Sequence, residues 1–117
     1  MKTSMKNVVV FVRDLAVAKK FYVEQLGLPL VQETQMMLEF FPGEGARFGV
    51  ALAVHEAAYP LVGRHTGITM TVEDIVTLYQ DLTAAGIKFA EPLEASPWGK
   101  MAVVSDPDGN LIALVDR

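Results

Sequence analysis

The side chains able to act as a base or to hold a metal ion are few, and most lie near predicted strand ends. His55 and Glu56 are adjacent, His65 follows them, and Glu39 lies in the short apolar segment MLEF. A divalent cation needs at least three well-placed N or O donors, which His55, Glu56 and His65 together supply. Their spacing is not that of ligands on one helix or strand, and this favours exposed loop histidines. Glu39, His55 or His65 as a metal-free general base is a further alternative, but no nucleophile–base pair is visible.

One aromatic side chain is a candidate for ligand binding by stacking. Trp98 is the only tryptophan, and Pro97 and Gly99 flank it in a predicted turn. An indole on a turn can stack on a flat or cationic ligand. It can equally pack on its own fold or against a second subunit. Phe41 and Tyr59 are weaker candidates for the same role.

Strands and two short helices must position these residues, because β-branched runs and helical apolar spacing alternate with Gly and Pro turns. The predicted strands are Asn7–Val12, Leu28–Glu33, Met36–Phe41, Phe48–Val54, Gly67–Val72, Ile87–Leu93, Met101–Ser105 and Leu111–Val115. Asp14 is the predicted N-cap of a helix over Leu15–Gln25, and Asp74 that of a helix over Ile75–Ala85.

The two halves of the chain repeat each other. Val12–Leu15 matches Val72–Ile75, and Leu26–Leu28 matches Ala85–Ile87. Each half is a strand, a helix and three strands, a unit that leaves one sheet face bare until a second unit covers it. We predict an α+β fold in one domain, residues 1–117, with module 1 over about residues 5–55 and module 2 over about residues 65–117. The segment His55–Arg64 is the expected link.

Composition limits the classes of protein to which the chain can belong. It has 117 residues, 51% of them hydrophobic, with 14 acidic against 10 basic residues and a net charge of -4. There is no cysteine, which excludes disulfides and thiolate ligands and is compatible with a cytoplasmic location. The lack of a basic cluster argues against nucleic acid, and the lack of a long apolar run argues against a membrane. A domain this small has a modest stability margin, so we expect a homodimer.

The order of the predicted elements and three stretches of sequence resemble those of a known protein family. The stretches are Val12–Leu28, Gly67–Asp74 with Ala85–Ile87, and the turn DPDGN within Asp106–Leu114. Together they resemble the vicinal oxygen chelate superfamily, which includes glyoxalase I, bleomycin-resistance proteins and extradiol dioxygenases. The resemblance spans nearly the whole chain and implies two βαβββ modules whose curved mixed sheets form a cup. Helix capping and turn formation explain the aspartates of these motifs, and none is a catalytic candidate.

The same resemblance implies where a metal would be held. In metal-dependent members, His or Glu ligands lie on the first and last strands of each half. The matching positions here are Asn7, Gly67 and Ala113, with a fourth within Phe48–Val54, which holds no carboxylate or imidazole. Gly67 and Ala113 have no donor side chain, and Asn7 is a poor lone ligand. We therefore expect no metal and no other cofactor.

Strand parity predicts which side chains line the cup. Gly67, Thr69 and Thr71 should face it, because Ile68 and Met70 form the apolar side of their strand. Glu39 points either into the cup or to solvent, and Met101 is most simply a core or interface residue. An apolar cup with few polar groups is typical of a small-molecule site. The candidate ligand contacts are Asn7, Val9, Glu39, Phe41, Gly67, Thr69, Trp98, Met101 and Ala113.

Two functions compete on these observations. The first is a metal-free small-molecule-binding protein, similar to the antibiotic-sequestering members of the family, with an aromatic or cationic compound as ligand. The alternative is a lyase, isomerase or dioxygenase of the family with an atypical or absent metal site. The empty ligand positions favour the first function, so we expect a small organic ligand, a second copy of the chain, and neither nucleic acid nor a membrane as partners.

Overall fold

The chain forms two compact units. The computed structural model describes all of residues 1–117, and the units are residues 1–62 and residues 63–117, called module 1 and module 2 below. Module 1 contains β1 (Asn7–Val12), α1 (Leu15–Lys19), β2 (Leu30–Glu33), β3 (Met37–Phe40) and β4 (Arg47–Leu52). Module 2 contains β5 (His65–Thr71), α2 (Ile75–Ala84), β6 (Phe89–Ser96), β7 (Gly99–Ser105) and β8 (Leu111–Val115). Neither helix is long and apolar enough to cross a membrane.

Both modules contain a four-stranded mixed sheet with the same topology. The strand order is β1-β4-β3-β2 in module 1 and β5-β8-β7-β6 in module 2. In each sheet the first and last strands pair in parallel, while the remaining pairs are antiparallel. A parallel pair needs a crossover connection, and the helix of each module lies in it. The predicted α+β fold of two βαβββ modules is confirmed.

The first helix differs from its prediction as one continuous α-helix over Leu15–Gln25. Only Leu15–Lys19 is α-helical, and Lys20–Gln25 continues as a π-helix. The wider turn is closed by the N–H of Leu26, which donates to the carbonyl of Phe21 at 2.7 Å. Phe21 and its neighbour Tyr22 are both fully buried. We attribute the wider turn to these two adjacent large rings, because it brings both onto the core side of the helix.

Aromatic rings dominate the core of module 1. The ring of Tyr22 lies 4.8 Å from that of Phe21 and 5.6 Å from that of Phe48, centroid to centroid. Along β1, Val10 and Val12 are buried, whereas Val9 and Phe11, which alternate with them, are not. This alternation shows that one face of the sheet joins the core and leaves the other face available.

Module 2 repeats this arrangement with aliphatic side chains. Ile112 and Leu114 of β8 are buried, as are Ile75 and Leu82 of α2. The N-cap of α2 is Asp74, whose carboxylate accepts from the backbone N–H of Thr77 at 3.2 Å. That backbone hydrogen bond lowers the pKa of Asp74, with further contributions from the Thr77 side chain and from the positive charge of Lys100.

A buried polar pair connects the start of module 2 to the turn before β8. Asp106 is 3% exposed and Asn110 is 0% exposed. The Asn110 amide nitrogen Nδ2 donates to Asp106 Oδ2 at 2.9 Å, while Asn110 Oδ1 accepts from the N–H of Gly63 at 3.0 Å. Asp106 Oδ1 accepts from the N–H groups of Asp108 and Asn110 at 2.9 and 2.8 Å. Turn formation, predicted for DPDGN, is therefore only part of what these two side chains do.

Candidate functional site

The open face of module 1 is the side of its sheet opposite the aromatic core. Its members alternate with buried core residues along each strand and are joined across strands by the observed register. They are Asn7, Val9 and Phe11 on β1, Met37 and Glu39 on β3, and Arg47, Gly49 and Ala51 on β4. The predicted face of β1 is therefore the observed one. Its members are small or apolar at the centre and polar at one end.

An ion pair forms the polar end of this face. Arg47 lies opposite Asn7, and Glu39 lies opposite Gly49. Arg47 Nη1 is 3.6 Å from Glu39 Oε2, and these side chains are 35% and 21% exposed. Glu39 therefore lies on the open face, on the same side of the sheet as Val9 and Gly49. A half-buried pair retains more of its electrostatic attraction than a fully solvated one, and it can still be reached by a ligand.

The floor of the open face is covered by a methionine. A Cβ atom placed on Gly49 would overlap Met37 Cε and would come within 3.2 Å of Val9 Cγ2. The thioether of Met37 therefore occupies the space that Gly49 leaves. Methionine is flexible and adapts to irregular gaps, so this floor can change shape at little cost.

The open face of module 2 carries small and apolar groups. Thr69 lies opposite Ala113, and Thr71 lies opposite Val115. On the next strand pair, Met101 also lies opposite Val115. The polar groups in this part of the face are thus two threonine hydroxyls on β5 and the carboxylate of Glu94, which lies opposite Met101 on β6. Thr69, Met101 and Ala113 occupy the side of the sheet that their proposed role requires.

Gly67 does not occupy the position predicted from the repeat. The family's ligand positions, counted from the capping aspartates, make it the equivalent of Asn7, but the register of β5 against β8 is interrupted between His65 and Thr69. His65 lies opposite Leu111, whereas Gly67 lies within the bulge with a φ of 74°. The equivalence of Gly67 to Asn7 is therefore wrong, because the bulge inserts residues that counting along the sequence does not detect.

The residues present do not fit the divalent metal of the wider family. Gly49 on β4 corresponds to Ala113 on β8, because Gly49 lies opposite Val9 and Ala113 lies opposite Thr69. Gly49 and Ala113 offer no donor, and the positions on β1 and β5 supply one amide and one imidazole. No group of three or more His, Cys, Asp or Glu side chains could hold a metal ion. His55, Glu56 and His65 accordingly do not form the cluster considered as an alternative.

Protein purified without chelator should contain no tightly bound divalent metal. The physical reason is that fewer than three donors do not repay the lost hydration of such a cation. Elemental analysis measures this directly. About one zinc, nickel, iron or manganese ion per chain, the amount that one metal site would hold, would contradict the prediction.

Trp98 and the two weaker aromatic candidates lie at separate places. Trp98 is 82% exposed on the two-residue loop between Ser96 and Gly99, which pair as the last residues of β6 and the first of β7. Packing of the indole on its own fold, one of three alternatives, is therefore excluded. Phe41 follows β3 and is 39% exposed. Tyr59 lines a pocket of about 290 Å³ in module 1 together with Arg13, Ala53 and Val62.

Three residues of the open faces were missed at the level of sequence. Arg47 precedes the predicted start of its strand, although parity with Gly49 and Ala51 would have placed it on the open face. Met37 lies in an apolar segment, and no sequence signal distinguishes a core methionine from one that covers the floor of a site. For His65, the one available signal was Gly67, since an isolated glycine inside a strand pattern indicates a bulge.

A family assignment follows from the comparison with known proteins. The model of the Glyoxalase/Bleomycin resistance protein/Dioxygenase superfamily matches residues 4–114. The chain therefore belongs to this superfamily. The match covers both βαβββ modules, and it confirms the resemblance carried by the repeated caps and the DPDGN turn.

Particular relatives are similar over nearly the whole chain. A member of the superfamily from Sphaerobacter thermophilus DSM 20745 is 32% identical, with a TM-score of 0.78 and coverage of 98% of both chains. TnmS3, an antibiotic binding protein from Streptomyces sp. CB03234, is 28% identical, with a TM-score of 0.76 and coverage of 97% of this chain and 95% of its own. An uncharacterized protein from Shewanella frigidimarina (strain NCIMB 400) is 28% identical, covering 98% of this chain and 94% of its own.

Proposed function

We propose that the protein binds a small organic molecule against an open sheet face, without a divalent metal. The observation that carries the proposal is the open face of module 1. It combines a floor of Val9, Gly49 and Ala51 with the half-buried Arg47–Glu39 ion pair. An apolar surface with a few fixed polar groups is the usual composition of a ligand site.

The chemistry of this face favours an aromatic or cationic ligand. The guanidinium of Arg47 is planar and can stack on an aromatic ring, and the carboxylate of Glu39 can attract a cation. A net charge of -4 also favours a cation over an anion at long range. The proposed ligand contacts remain Asn7, Val9, Glu39, Phe41, Gly67, Thr69, Trp98, Met101 and Ala113, to which we add Arg47.

The proposed biological role is sequestration of the small organic ligand in the cytoplasm. We propose that the two modules act together as a single domain. The similarity to TnmS3, an antibiotic binding protein, supports binding rather than turnover. The alternative is a lyase, isomerase or dioxygenase with an atypical metal site. That alternative needs donors that Gly49 and Ala113 do not supply, and no arrangement of residues favours it.

The experiment is a calorimetric screen of planar cationic compounds against the wild type and Glu39→Gln. We expect at least one compound to bind, and Glu39→Gln to weaken it roughly tenfold, the effect of removing one charged contact. Glu33→Gln is the matched control, because Glu33 Oε1 forms an ion pair of 2.8 Å with Lys19 Nζ in the same module. No binding in the whole library, or equal loss in both variants, would overturn the proposal.

Trp98 is expected to contribute a stacking contact to binding. Replacing it by alanine should weaken a planar cationic ligand about fivefold, equivalent to ~1 kcal/mol. Tryptophan fluorescence during titration measures the contact, with Trp98→Phe as the variant that keeps a ring. Binding that leaves the emission unchanged, or a Trp98→Ala variant that mainly lowers the melting temperature, would show that Trp98 has a different role.

We also expect a homodimer. Large apolar side chains are exposed on both modules, among them Leu30 and Met36 in module 1 and Met101 in module 2, and β2 and β6 each pair with one strand only. Light scattering at micromolar concentration measures the mass, to be compared with 12.8 kDa for one chain. A mass equal to that of one chain would refute the prediction.

A further inference from the structure

The bulge in β5 changes which side chain lies on the open face of module 2. His65 and Thr69 are four residues apart on β5, yet their partners Leu111 and Ala113 are two apart on β8. The additional residues of β5 include Gly67, whose φ of 74° is a conformation that glycine adopts without steric cost. The bulge therefore depends on a glycine, and it moves His65 to the register position opposite Leu111.

Side chains of the bulge satisfy the polar groups that lose their strand partners. Thr66 Oγ1 donates to the carbonyl of Leu111 at 2.6 Å and accepts from the N–H of Ile68 at 3.1 Å. The N–H of Gly67 donates to His65 Nδ1 at 3.2 Å. The bulge is thus stabilised by its own residues, and bulges of this kind frequently direct a side chain toward a site.

The hydrogen bond from Gly67 determines which nitrogen of His65 is free to donate. Because Nδ1 accepts, the ring proton lies on Nε2. His65 is exposed, and its partner Leu111 alternates with Ile112, which is buried. The Nε2–H group is therefore a donor at one end of the open face. In module 1 the same register position, opposite Arg47, is held by the amide of Asn7.

We propose that His65 Nε2–H orients the ligand by donating a hydrogen bond to a ring carbonyl. This inference rests on the proposed function. The face also includes Thr69, Thr71, Ala113, Val115 and Met101, against which an aromatic ring can pack, and Glu94 lies opposite Met101 on β6. A carboxylate on the same face and a chain of net charge -4 favour a neutral acceptor over a carboxylate. The ligand class is therefore an aromatic compound that carries a carbonyl group.

Two side-chain replacements separate the two nitrogens of His65. In His65→Asn, the amide oxygen can still accept from Gly67 N–H, but no donor reaches the position of Nε2. In His65→Gln, the amide nitrogen reaches that position. Gly67→Ala keeps the imidazole side chain of residue 65 but strains the backbone that positions it. These variants distinguish donation to the ligand from maintenance of the bulge.

The probes are 9-fluorenone and fluorene, which differ only by a carbonyl in place of a methylene. We expect the wild type to bind 9-fluorenone roughly fivefold more tightly than fluorene, the effect of one hydrogen bond. We expect this preference to disappear in His65→Asn and Gly67→Ala and to persist in His65→Gln. Long-range ¹H–¹⁵N correlation spectra of the free protein should show the His65 proton on Nε2.

Several results would overturn the role of His65. They are equal affinity of the wild type for the two probes, no binding of either, an unchanged preference in His65→Asn, or a proton on Nδ1 in the free protein. If planar cationic compounds still bind with the predicted dependence on Glu39, the proposed function stands while this inference fails. If no compound of either kind binds, both fail.

Discussion

Replacing Asn110 by aspartate should lower the free energy of unfolding by about 3–5 kcal/mol, the cost of a buried charge without a partner. The variant places a second carboxylate against Asp106, at a position where the wild-type Nδ2 donates to Asp106 Oδ2 at 2.9 Å. Both side chains are almost fully buried, so water cannot screen the repulsion. Since a small domain has a total stability of roughly 5–15 kcal/mol, much of the variant should be unfolded under mild denaturing conditions.

Exchanging the two residues is the control for this prediction. In the double variant Asp106→Asn/Asn110→Asp, the donor and acceptor change places, and the side chain at 110 can still accept from Gly63 N–H, which donates to Asn110 at 3.0 Å in the wild type. Urea unfolding of both single variants and of the double variant gives the coupling energy. We expect the double variant to recover to within about 1 kcal/mol of the wild type. Additive losses in the double variant would show that the hydrogen bond between these side chains is not the cause.

The fold could be predicted because both modules repeat the same local signals. Asp14 and Asp74 cap helices at matching places, and three strands follow each helix. The ends of β1 and β8 were predicted correctly, since alternation and turn residues bound these strands clearly. Two copies of one pattern constrain each other, and the topology of one module then determines that of the other.

Local geometry could not be predicted where backbone hydrogen bonding departs from the regular ladder. Gly67 permits a bulge but does not require one, because a glycine inside a strand can also fit the regular register. The π-helical turn after Lys19 likewise depends on how two adjacent rings, Phe21 and Tyr22, fit the core. Counting residues from a helix cap gives the wrong position for any residue beyond such an irregularity. For this reason it assigned Gly67 to the position that His65 occupies.

The candidate site could be predicted less well than the fold because its chemistry depends on pairs of residues on different strands. Parity placed Val9 and Thr69 on the correct faces. It could not reveal the ion pair of Arg47 with Glu39 or the position of Met37 over Gly49, since both depend on the register between β3 and β4. A long flexible side chain such as methionine is particularly difficult, because several rotamers are compatible with one strand position.

Gly49→Ala should weaken ligand binding at least tenfold while leaving the fold almost unchanged. The new methyl group would overlap Met37 Cε, and the thioether must then move away from the floor into the space above it. One misplaced methylene in an apolar site changes affinity by roughly 10- to 200-fold. The atom displaced is the far end of a flexible side chain, so we expect a change in the free energy of unfolding below about 1 kcal/mol.

The double variant Gly49→Ala/Met37→Ala distinguishes this effect from general damage to module 1. Without the thioether, the methyl group at residue 49 occupies space that Met37 had filled, so the surface available to the ligand is largely restored. We expect calorimetric titration with the tightest planar cationic compound to give an affinity within about threefold of the Met37→Ala variant, the spread of near-neutral contacts. If the Gly49→Ala loss instead persists without Met37, displacement of the thioether is not its cause. If Gly49→Ala leaves the affinity unchanged, the open face of module 1 is not where the ligand binds.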